Sequence, residues 1–273
     1  MELSITISTP GSKFAPIVLQ GDYVAQIEYA AGIGFKAVEL HIRDPKAVDR
    51  EGIKAALSRT GLRVSTIGTG QAYVDERLCF ADPDPALRER AVQRIKDQID
   101  LGAELRAKVI IGTIKGNLPA DPAEVMPTKN RIVACLKECA RYAETAGVVL
   151  TLEAINRYEA NFLNTAGDTV AFIKEIASPA LGLHLDTFHM NIEEVDTVAT
   201  IKTYAPYLVH LHVADSNRWP PGMGHLDFAA IVTALHEIGY QGFLGIECLP
   251  RPAAERAAQQ GFAHMSNLLA RLA

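Results

Sequence analysis

The chain has 273 residues, 48% apolar and 22% charged, a balance ordinary for one globular domain with a single large core. Its net charge of −5, from 27 basic and 32 acidic residues without any Lys/Arg run, argues against a nucleic-acid surface. No apolar stretch approaches the ~18 residues of a membrane span, and MELSITISTPGSKF lacks a charged leader followed by an apolar run, so a cytoplasmic protein without membrane contact is expected.

Short β-branched or apolar runs alternate with helical patterns along the whole chain. Strands are expected near Ser4–Thr9, Ala37–Ile42, Arg63–Gly68, Lys108–Thr113, Val148–Ala154, Leu181–Asp186, Leu208–Ala214 and Gly242–Cys248. The intervening RERAVQRIKDQIDLGAELRA and KNRIVACLKECARYAETAG carry apolar residues at three- and four-residue spacing, the helical period. Gly34, Gly61, Gly102, Gly147 and Gly239 are expected to end helices, because glycine accepts the left-handed conformation at that point. Asp227 is placed to cap the helix FAAIVTALHEI. Eight strands, each followed by a helix, predict a single-domain α/β fold over 1–273, a (β/α)8 TIM barrel. After the first strand, TPGSKFAPIVLQGDY is expected to form part of a pocket or a lid, or to pack through Phe14, Ile17 and Leu19. Cys135 and Cys139, four apart on one helix face, are expected to be buried and reduced.

Barrel active sites are built at the C-terminal ends of the strands. Four side chains with metal-ligand chemistry occupy those ends: Glu153, Asp186, His212 and Glu247. They lie 33, 26 and 35 residues apart, each gap about one βα unit. Matched positions on consecutive strands converge on one mouth, which unrelated capping residues would not do. One imidazole among three carboxylates suits a divalent cation, Mn2+ before Co2+ or Mg2+. Glu153 and Glu247 come from well-separated strands, so a substrate between them would meet a carboxylate on each face. That suits inversion at a carbon beside a carbonyl, through an enediolate, with the two glutamates as acid and base. His189 and Arg218, in the loops after Asp186 and His212, are donors for substrate oxygens. His184 and His210, two residues before a ligand, are expected one layer deeper as hydrogen-bonded core histidines.

The segments LEAINRYEANFLNT, LDTFHMNIEE, LHVADSNRWPPGMGHLDF and IECLP resemble the ketose 3-epimerases of the D-tagatose 3-epimerase type, within the xylose-isomerase-like TIM-barrel superfamily. The resemblance implies that Glu153, Asp186, His212 and Glu247 hold Mn2+ or Co2+, that Glu153 and Glu247 are the acid/base pair, and that Glu159, His189 and Arg218 contact the O1–O3 end of the substrate. It also implies a homo-oligomer, a dimer or tetramer. IGTGQAY, HMNIEEV and ECLP look closer still to a branch that includes 5-keto-L-gluconate epimerase. The expected partner is therefore a small keto sugar or keto sugar acid, and an acid would need a cation, for which Lys115 and Arg251 are the choices. Rival readings on the same site are an inosose-type dehydratase, an aldose–ketose isomerase and an endonuclease-type hydrolase. A non-catalytic sugar-binding protein would not need two glutamates at the metal.

Overall fold

The computed structural model describes residues 1–13 and 16–272. Phe14 lies outside them. In chain order the first elements are β1 (Glu2–Ser8), a two-residue β2 (Leu19–Gln20), α1 (Tyr23–Ile33), β3 (Ala37–His41) and α2 (Arg50–Thr60). Next come β4 (Arg63–Gly68), α3 (Gly70–Glu76), α4 (Pro85–Leu105), β5 (Lys108–Ile111) and α5 (Pro122–Ala146). Then follow β6 (Leu150–Glu153), α6 (Ala166–Ile176), β7 (Leu181–Asp186), α7 (Thr187–Glu193) and α8 (Thr197–Thr203). The chain closes with β8 (Leu208–Val213), α9 (Phe228–Glu237), β9 (Phe243–Ile246) and α10 (Ala254–Leu269).

All strands are parallel, in the order β2-β1-β3-β4-β5-β6-β7-β8-β9, and β1 also pairs with β9. That last pairing, Glu2 opposite Phe243 through Ile5 opposite Ile246, closes eight strands into the expected barrel. Alternation along the strands sorts the side chains into two layers. On β3, Val38 and Leu40 join the apolar core, whereas Glu39 and His41 bond across the inside of the barrel. The barrel interior is thus polar near its mouth, and the apolar core lies between sheet and helices. No helix among the described residues is long and apolar enough to cross a membrane.

The helix boundaries follow local chemistry. Asp22, Asp49, Asp84, Asp121, Asp196 and Asp227 each accept a hydrogen bond from a first-turn N–H. Gly34, Gly61 and Gly147 sit in the left-handed conformation at helix ends, and Gly239 does so one residue beyond the cap of α9. Gly102 does not end a helix. α4 runs on to Leu105, and Arg106 takes the left-handed cap at φ 55°. Gly102 instead permits close packing: a Cβ there would lie 3.0 Å from the Ala107 carbonyl oxygen and 3.1 Å from Val109 Cγ2. The expected strand Lys108–Thr113 stops at Ile111, and the chain turns into a 3-10 helix over Thr113–Lys115. All four cysteines are free thiols, with Cys135 and Cys139 buried on α5.

Candidate active site

Glu153 ends β6, Asp186 ends β7, His212 lies near the end of β8, and Glu247 directly follows β9. Pairing sets Asp186 beside His212, and His212 beside Gly245. Glycine is needed there, since a Cβ on Gly245 would lie 2.9 Å from the His212 ring. Gly112 likewise leaves room for Glu153, whose Oε2 would be 2.7 Å from an added Cβ. One ligand atom from each of the four residues falls within 4.8 Å of all the others. His212 Nδ1 is 3.3 Å from Glu247 Oε2, 3.8 Å from Asp186 Oδ2 and 3.9 Å from Glu153 Oε1. The quartet expected from strand spacing is therefore brought together.

The donor set fits a divalent cation. Three buried carboxylates crowd one imidazole nitrogen, and Nδ1 makes no well-formed hydrogen bond. Burial first, and then the Glu247 carboxylate, pushes Glu153 up to about 8. Burial disfavours the charged form of His212, but Glu39 and Glu247 outweigh it and hold the imidazole well above its ordinary range. A cation at this point would relieve the carboxylate repulsion and replace those protons.

The sequence reading missed Glu39. It is fully buried and sits at the centre of a hydrogen-bond hub. His41 Nε2 lies 2.6 Å from its Oε1, while His212 Nε2 and His210 Nε2 lie 2.9 and 3.2 Å from its Oε2. The Thr66 hydroxyl donates to Oε2 as well. Burial penalises its ionisation, but His212 and the other two imidazoles hold it well below the usual carboxylate range. An ionised Glu39 takes the Nε2 proton of His212 as a hydrogen bond and turns Nδ1 toward the carboxylates, where a cation can bind once the Nδ1 proton leaves. This is the carboxylate–histidine–metal arrangement that orients metal-binding imidazoles. The available signal was an acid and a histidine two apart, on one face of an otherwise apolar strand.

Of the two deeper histidines, His210 is hydrogen-bonded as expected. His184 is not: neither of its ring nitrogens has a hydrogen-bond partner among the described residues. It packs edge-on against the His210 and His212 rings instead, at 4.8 and 4.2 Å between centroids. Burial keeps it neutral, far below its ordinary pKa.

The pocket above the quartet is lined by Glu159, His189 and Arg218 together with Gly68, Thr69, Gly70 and Thr113. His189 Nε2 is 3.8 Å from Glu153 Oε1 and 4.0 Å from Asp186 Oδ2. Arg218 is clamped: Nη1 donates to Asp186 Oδ2 at 2.6 Å, and Nη2 donates to Glu247. Its guanidinium also stacks 4.8 Å above the Phe188 ring. Arg218 holds φ 62°, a backbone conformation costly for a non-glycine residue. The loop around it is tied by Asp215, which accepts from the N–H groups of Ser216, Gly222 and Leu226.

Lys115 is not in the pocket. The 3-10 turn folds it inward, and its Nζ lies 3.3 Å from the backbone oxygens of Gly112 and Glu153. Burial lowers it to about 8, against the opposing pull of Glu153. Arg251 is exposed and does not line the pocket.

Residues 27–268 match the family model for the xylose isomerase-like TIM barrel. The chain belongs to that family. It is 35% identical to an L-ribulose 3-epimerase from Mesorhizobium japonicum over 215 residues, which covers 78% of this chain and 71% of that protein. The crystal structure of a D-psicose 3-epimerase from Clostridium cellulolyticum with D-tagatose superposes with a TM-score of 0.83. Identity there is 27%, over 98% of this chain and 99% of the other. A 3-keto-D-glucoside 4-epimerase from Escherichia coli superposes at 0.80, with 27% identity over 97% and 99%. The family member described here is an isomerase, a sugar epimerase.

Proposed function

We propose that this epimerase inverts C3 of a neutral ketose. Convergence of Glu153, at the end of β6, and Glu247, just after β9, on one pocket carries the reading. One glutamate removes the proton at C3, leaving an enediolate across C2 and C3. The other returns a proton to the opposite face. His189 and Arg218 flank the same space and hold substrate oxygens, and Glu159 reaches the pocket from the loop after β6. Glu153, Asp186, His212 and Glu247 would hold the divalent cation, Mn2+ before Co2+ or Mg2+, which would supply polarisation of the substrate carbonyl.

A neutral substrate is favoured over a keto sugar acid by the pocket's charge. Arg218 is engaged by two carboxylates, and Lys115 is turned onto backbone carbonyls. Neither of the cations weighed for a substrate carboxylate, Lys115 or Arg251, lines the pocket. A second reading, inversion at C4 of a 3-keto glycoside, draws on the Escherichia coli relative, which superposes nearly as well as the 3-epimerase. The chemistry is the same, since C4 also adjoins the carbonyl.

The experiment is incubation in D2O with Mn2+ and a panel of L-ribulose, D-psicose, D-fructose, D-tagatose, 5-keto-L-gluconate and a 3-keto glucoside. Products are freed of metal and read by NMR. Deuterium at C3 of an epimerised neutral ketose is expected. Deuterium at C4 of the glycoside would select the second reading. A dehydrated product would overturn both in favour of a lyase, and turnover of only the keto acid would overturn the neutral substrate.

A further inference from the structure

Asn156, three residues after Glu153, joins two residues of the substrate pocket. Its side chain is buried. Its Nδ2 lies 2.9 Å from Glu159 Oε1 and 2.7 Å from His189 Nδ1, and its Oδ1 accepts from the Tyr158 N–H at 2.9 Å. An amide can be placed either way round, so its neighbours must decide. The Tyr158 N–H is a donor and needs the oxygen. The Glu159 carboxylate is an acceptor and needs the NH2. Both demand the same orientation, which turns the NH2 toward His189.

An amide NH2 has two protons to give and accepts nothing. One goes to Glu159 and the other meets His189 Nδ1. That nitrogen must therefore be bare, because a proton on it would set two donors head to head. A neutral imidazole then carries its proton on Nε2, the atom that faces Glu153 and Asp186 across the pocket floor.

We propose that Asn156 is the positioning residue that fixes His189 as its Nε2–H tautomer, so that His189 donates a hydrogen bond to a substrate oxygen. The donation to substrate rests on the epimerase reading above; the tautomer does not. With the opposite tautomer, a bare Nε2 would face the carboxylates and a substrate carbonyl, and would have no proton to offer.

The test is nitrogen NMR of the Mg2+-loaded protein, which is diamagnetic, with 15N-labelled histidine. The His189 signals are assigned by their loss in His189→Gln. The expected wild-type spectrum has a protonated Nε2 and a bare Nδ1. Asn156→Asp replaces the NH2 with oxygen, so the proton should move to Nδ1. Turnover should fall about 100-fold, the usual cost of one oriented donor, while Mg2+ affinity stays unchanged. A wild-type His189 protonated at Nδ1 overturns the proposal, even if Asn156→Asp fails to fold. So does an Asn156→Asp protein whose His189 Nδ1 stays bare. A proton that moves as expected, in an enzyme that epimerises no ketose, supports the positioning role and removes the epimerase reading alone.

Discussion

Glu39 shows how one carboxylate sets the chemistry of several neighbours. It accepts from three imidazoles and one hydroxyl, in a place where water does not compete. Replacing it by Gln keeps the volume but removes the charge that orients His212. Glu39→Gln should weaken Mn2+ binding by about 10- to 100-fold, measured by calorimetric titration. Unchanged affinity would show that His212 is held without it. Protons make a second prediction at this scale. In the metal-free protein Glu153 stays protonated up to about pH 8, and His212 is raised well above its ordinary value. Ligation requires the carboxylate and the bare nitrogen, so metal binding must expel these protons. Affinity should therefore rise as pH increases from 6 to 8. Calorimetry at pH 7, in buffers of different ionisation enthalpy, should show about two protons released per cation. No buffer dependence would contradict this.

At the scale of elements, the strand ends were legible because the βα unit repeats at nearly constant length, and ligand chemistry recurs at one point in it. Glu153, Asp186, His212 and Glu247 needed only that spacing. Glu39 was not legible. Its role depends on β3 facing β8 across the barrel, a distance of 171 residues to His210 along the chain. Asn156 lies in irregular backbone after β6, where no periodicity marks it. Lys115 was misplaced because a four-residue β5 and its 3-10 turn replaced a longer expected strand. The helix end at Gly102 failed for a related reason: packing against Val109 explains that glycine, and the left-handed position fell to Arg106. Arg106 and Ala177 both cap helices at φ near 57°, and both are exposed. Glycine at either should stabilise the fold by about 1 kcal/mol, because it lacks the Cβ that crowds this conformation. A rise in Tm of about 2–4 °C for each is the expected readout in thermal unfolding. A fall would mean that the wider freedom of glycine in the unfolded chain dominates.

For the whole molecule, the quartet joins four consecutive strands, β6 to β9, and β9 is the strand that closes the barrel onto β1. A cation held by all four should therefore stabilise the closed sheet. At 100 times its Kd, Mn2+ should add about 2.7 kcal/mol of stability, and EDTA should remove it. Equal melting temperatures with and without chelator would argue against a site formed by the native fold. The same arrangement divides the barrel into two inheritances. The four candidate ligands all lie at the ends of the last four strands, and much of the remaining pocket wall, from Gly68 to Gly70 and at Thr113, lies at or just past the ends of β4 and β5. Apart from Gly112, which makes room for Glu153, those segments can be rewritten without moving one of the four. A lineage built this way can keep one engine and exchange its keyhole, and descendants naming different sugars on one scaffold are what such a division would leave behind.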